Sequence, residues 1–148
     1  MSTYWDAYPN FVHNPTAPLR QEFKLLAAQC GWQVDGERYK REWGHCGQAE
    51  FSHHFGRDDN RLAGWQAMCA TARVEAPDSI KQCKQVLRTT VWINIFDLMD
   101  AKRTGRPVKK HASANALRAY TRRTKKIFPK KAAKDNQFLR VLLVEVFV

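Results

Sequence analysis

Apolar side chains recur at three- and four-residue spacing along most of this 148-residue chain, and glycine or proline interrupts each run. That period puts one apolar stripe on each helix. It predicts an all-α fold, about six helices around an aromatic-rich core with short polar connections. Phe23, Leu26, Ala27 and Cys30 form the first stripe, in a helix entered near Asn14-Pro15 and Pro18 and stopped by Gly31. A second helix is expected from about Glu37 to Phe55, with Gly44 and Gly47 as weak points and Gly56 as its end. Asp58 or Asp59 offers an N-cap for a third, through Leu62, Trp65, Met68, Cys69 and Ala72.

Pro77-Asp78-Ser79 opens a fourth helix through Ile80, Cys83 and Leu87. The spacing of Trp92, Phe96 and Met99 extends it toward Asp100, while the β-branched residues over 89–96 leave a strand open. Ser113 caps a fifth helix through Leu117, Tyr120, Thr124 and Phe128, which Pro129 closes. The segment from about Lys131 to Val148 is apolar nearly all round and suits a buried helix or a terminal strand. Residues 1–14 have no such period. They read as a strap whose Tyr4, Trp5, Tyr8 and Phe11 pack onto a single domain spanning 15–148.

With 44% hydrophobic residues, the chain has material for a real core, which excludes disorder over most of its length. No stretch approaches the ~18 consecutive apolar residues of a membrane-spanning helix. Residues 1–10 carry no Lys or Arg and no apolar run follows, so no secretory signal is expected. Cys30, Cys46, Cys69 and Cys83 are then expected as reduced thiols in an intracellular protein.

Charge divides the chain. Residues 1–74 hold eight Lys/Arg and eight Asp/Glu, whereas residues 75–148 hold seventeen and six, which accounts for the whole net charge of +11. Thirteen of those cations lie in 102–134, where there is no acid. Ordinary solvated faces mix both signs, so this asymmetry points to a polyanion partner.

Three features of the basic region carry that expectation. On the predicted helix 113–128, Arg118, Arg122 and Lys125 share a stripe opposite the apolar one, flanked by Arg123 and Lys126. Such a row suits a nucleic-acid backbone, where each neutralised phosphate releases counterions. The loop from Lys102 to Lys110 brings Arg103, Arg106, Lys109 and Lys110 around a Gly-Arg-Pro core. It resembles the AT-hook, which lays Arg into a narrow minor groove, and the resemblance carries Arg106 across; Thr104 stands where that motif has its first Arg. Lys130, Lys131 and Lys134 sit where a helix N-terminus would favour acids, so stability alone does not explain them. With Arg122-Arg123-Thr124-Lys125-Lys126 they also read as a nuclear-import signal.

Cys30, His45, Cys46, His53 and His54 lack CxxC or HxxxH spacing, and Cys46 reads more naturally as core. Glu50, His53, His54, Asp58 and Asp59 are the residue types a metal-dependent hydrolase uses to activate water, and equally ordinary helix-end residues. Asn94, Asp97 and Asp100 share a face that reads as solvated. Trp43, Trp65 and Trp92 fall on apolar stripes, leaving Trp5 and Tyr8 freer to stack on a base or anchor a partner.

Glu42-Trp43-Gly44-His45-Cys46, His54-Phe55-Gly56, Leu62-Ala63-Gly64-Trp65-Gln66, Gln82-Cys83-Lys84, Asn94-Ile95-Phe96-Asp97-Leu98 and Ile127-Phe128-Pro129-Lys130 resemble segments of a group of small filamentous-fungal proteins of uncharacterised function. The resemblance spans about Phe11 to Leu143 and implies a fungal source and one domain, but no activity. The function expected from the residues is nucleic-acid binding by a nuclear protein without a cofactor, DNA and RNA undistinguished. The alternatives are a module docking an acidic protein partner and, behind it, a metal-dependent hydrolase.

Overall fold

The computed structural model describes residues 3–143. Among them are eight α-helices: α1 Leu19–Cys30, α2 Glu37–Phe55, α3 Leu62–Thr71, α4 Ile80–Thr89, α5 Ile95–Thr104, α6 Ala114–Thr124, α7 Lys130–Ala133 and α8 Gln137–Val141. The fold is all-α, as the periodicity predicts. The longest helix, α2, is the axis on which α1, α3, α5, α7 and the strap pack, while α4 rests on α3. Its buried stripe of Cys46, Phe51 and Phe55 meets Phe23 and Leu26 from α1, Trp65 and Met68 from α3, and Phe96, Leu98 and Met99 from α5 in one core.

Gly44 and Gly47 are docking surface rather than weak points. A Cβ on Gly44 would lie 3.1 Å from the Ala132 Cβ, and one on Gly47 would lie 3.2 Å from Phe128 and 3.3 Å from Phe96. Their bare backbone lets the 128–132 segment lie directly on α2. Gly64 is tighter still, since its Cβ would stand 2.6 Å from Phe138.

Helix ends follow local chemistry. The Ser79, Asn94, Ser113 and Asn136 side chains each accept a hydrogen bond from a backbone N–H of the first turn they open. Gly31 and Gly105 close α1 and α5 in the left-handed conformation. The α3 N-cap is Arg61, not Asp58 or Asp59. Asp58 instead accepts from the Asn60 N–H, and the Asp59 carbonyl accepts from the Trp65 indole.

Three expected elements are divided. α4 does not run on to Asp100, because Asn94 accepts from the Phe96 and Asp97 N–H groups and restarts the helix there. The strand alternative reduces to one isolated antiparallel bridge, Trp92 with His111. α6 stops at Thr124 rather than Phe128, with Lys125 left-handed at φ 58°. Phe128 is freed to stack on Phe96. The C-terminal segment breaks at the fully buried Asn136, which donates to Ser52 and to the Gly56 carbonyl as it caps α8. The remainder of that expectation, residues 144–148, lies outside the described residues.

The strap packs as expected, with a 3-10 turn at Tyr4–Ala7. Tyr4 and Tyr8 both donate to Glu42 Oε1, at 2.9 and 3.0 Å. Trp5 is not free for stacking: it is 5% exposed, lies between Phe11 and His13, and donates to Glu50.

Candidate nucleic-acid interface

The basic run does not fold into one surface. Arg103 is a correction: its side chain is 1% exposed and holds the strap, not a phosphate. It donates to the Ala17 carbonyl at 2.7 Å, Glu50 Oε1 at 2.7 Å, the Asn14 carbonyl at 3.0 Å and His13 Nε2 at 2.8 Å. Because a guanidinium cannot accept, His13 Nε2 must, which puts that ring's proton on Nδ1. Glu50 also takes the Trp5 indole N–H and meets His54 Nε2 at 2.6 Å. Burial alone would raise the Glu50 carboxyl, but His54, Arg103 and Trp5 outweigh it and hold it down at about 2. Burial, then the Arg103 charge, push His13 below its ordinary value.

Lys126 is the second correction. Its ammonium donates to Asp97 at 2.6 Å and to the Tyr120 hydroxyl at 2.8 Å. Burial opposes its charge, but those two partners raise its pKa, so the cation is held and already neutralised. Asp97 is therefore no solvated acid. Asn94 is a buried cap, and Asp100 accepts from the Leu19 N–H at 2.8 Å.

The AT-hook likeness weakens in three dimensions. Lys102, Arg103 and Thr104 form the last turn of α5, so the extended segment begins only at Gly105. Arg106 shares a depression with Arg73 and Lys102, apart from the α6 face. Lys109 does reach that face: its ammonium lies 4.8 Å from the Tyr120 ring, which Arg123 covers at 5.7 Å. Lys110 is exposed beside it.

The other cations converge on the turn linking α6 to α7. Arg118, Arg122 and Lys125 are exposed as expected, although Lys125 now lies past the helix end. Three depressions of about 480, 470 and 740 Å³ surround this turn. They share edges: Ile127 lines the first and second, Lys130 the second and third, and Pro129 the first and third. Ten Lys or Arg residues line them, against three acids, Asp35, Glu37 and Asp135. Lys131 lines the third, and Lys134 is exposed on the same short segment.

Four of those ten, Arg20, Lys24, Lys40 and Arg41, come from the half whose charges sum to zero. The charge count hid them because it ignores where acids point. Glu22 and Glu50 are buried and Glu42 is bound by the strap tyrosines, so these acids offset the cations in number but not on the surface. The spacing Arg20–Lys24, one helical turn along the same side of α1, was the available signal.

Among the described residues no three His, Cys, Asp or Glu side chains are grouped to hold a metal. Cys46 is buried in the core, Cys30 is exposed elsewhere, and His54 is engaged by Glu50. Nor is any helix among them long and apolar enough to cross a membrane. Comparisons with protein-family models, with curated proteins and with solved structures give no match.

Proposed function

We propose that this chain binds nucleic acid through the cationic band around the α6–α7 turn. The observation that carries the reading is the convergence there of exposed cations from α1, α2, α6 and α7 around adjoining depressions. Arg118, Arg122, Lys125, Lys130 and Lys131 are the phosphate-contacting residues, joined by Lys24, Lys40 and Arg41. Arg123, Lys109, Lys110 and Lys134 extend the field. Contacts of this kind position a backbone and carry no sequence information. The expected address is the nucleus, reported by a fluorescent fusion that loses its nuclear signal when the Arg122–Lys126 basic cluster is neutralised.

The test is a salt-titrated binding panel of duplex DNA, single-stranded DNA, RNA and heparin. Replacing Arg118, Arg122, Lys125 and Lys130 together by Ala lowers the slope of log affinity against log salt by about 3. Affinity independent of salt would overturn the reading. Heparin bound as well as every nucleic acid would reduce it to recognition of charge, and an acidic protein partner would then take its place.

A further inference from the structure

Phe128, Phe96 and Trp43 form a column of flat rings. Phe128 and Phe96 stack at 5.1 Å and 17°, and Phe96 and Trp43 at 5.0 Å and 18°. The next group in the column is the Arg20 guanidinium, whose carbon lies 5.4 Å from the Trp43 ring centroid. The Lys125 carbonyl holds it there by accepting from Nη2 at 3.1 Å. Arg20 covers the Trp43 ring and, together with it, lines the 480 Å³ cleft between α1, α2 and the 125–129 turn. The cleft also has apolar lips. Among the described residues four large hydrophobic side chains stand well exposed, and two of them, Val34 at 67% and Ile127 at 59%, line it.

We infer that this cleft takes an unpaired base of a single-stranded nucleic acid, stacked on the Arg20 guanidinium, with the flanking phosphates against Lys24, Lys40 and Lys125. The inference rests on the nucleic-acid reading above and narrows it to single strands. A guanidinium plane is a stacking platform for bases as an aromatic ring is. Lys24, Lys40 and Lys125 on the same rim supply the charge that a phosphodiester on either side of the base requires. In a duplex both faces of a base are covered by its neighbours, so only an unstacked base reaches such a platform. Asp35, the cleft's single carboxylate, repels phosphate and instead suits an N–H on a base edge.

The experiment compares three labelled probes of equal length at one salt concentration: an oligothymidylate, the same backbone carrying abasic sites, and a duplex. The oligothymidylate is expected to bind at least 5-fold tighter than the abasic strand, the low end of about 1–3 kcal/mol per stacked base, and tighter than the duplex. Arg20→Lys keeps the charge and removes the plane, so the ratio of base-bearing to abasic affinity falls toward one. A thermal melt checks that this variant folds, and the wild-type ratio stands without it. Equal affinity for oligothymidylate and abasic strand, or tighter duplex binding, overturns the base site and leaves the phosphate band intact. Absence of salt-dependent binding to all three overturns both.

Discussion

Arg103 and Arg122 belong to the same acid-free run, yet one is buried on four partners and the other stands in solvent. Around Arg103 the charge is answered inside the fold: Glu50 faces it, His13 and two carbonyls take three more of its N–H groups, and Trp5 donates to the same Glu50. Around Arg122 the side chains of one sign gather with few acids among them. The first cluster consumes its charge to hold the strap against α2 and α5. The second leaves its charge in solvent. A run of cations is thus no unit of function, because its members acquire roles from what the fold sets opposite them.

Breaking the buried cluster has the largest effect. Arg103→Ala leaves Glu50 buried without its cation and lowers unfolding stability by about 3–5 kcal/mol in urea titration. Arg122→Ala leaves the urea midpoint where it was and lowers the salt slope of nucleic-acid binding by about 1.

Acid separates the two clusters next. Glu50 is held below its unfolded value, so its contribution is complete above pH 4.5 and is lost as pH falls toward about 2. That contribution is about 3 kcal/mol. His13 is also depressed, so the stability it adds begins to go once pH drops below 6.5. Urea midpoints measured from pH 8 to 3 should fall along this course, and Glu50→Gln should flatten the acid limb.

The smallest effect sharpens the link between core and band. Gly47→Ala pushes a methyl against the Phe96 and Phe128 rings and costs about 1–3 kcal/mol. It also tilts the column that ends at Arg20, so affinity for single strands falls with stability; a variant that loses stability while binding unchanged would separate the two.

The sequence made local features legible. Period and a glycine stop place the ends of α1 and α2 at Gly31 and Gly56, since both depend on neighbours within one turn. Features that depend on a distant partner were not legible. Nothing near Arg103 distinguishes it from Lys102; what buries it is Glu50, across 53 residues. Phe128 continues the α6 stripe at helical spacing, and distant partners explain why the helix releases it: Asn94 holds the Lys126 carbonyl, and Phe96 and the bare face of Gly47 receive the ring. The basic band was half visible, because α6 shows its cations in one stretch whereas α1 and α2 contribute theirs among acids, of which Glu22 and Glu50 turn inward.

Arg103 also orders events as the chain collapses. Its partners lie 53 to 90 residues away, so the strap has nothing to bind until α2 and α5 have met. Local helices form early and distant closures late. Docking of residues 3–17 is therefore a late event, the step by which a helical body already assembled acquires its N-terminal cover. An amide-exchange time course during refolding would show protection at Tyr8, whose N–H donates to the Trp5 carbonyl, trailing that at Phe51.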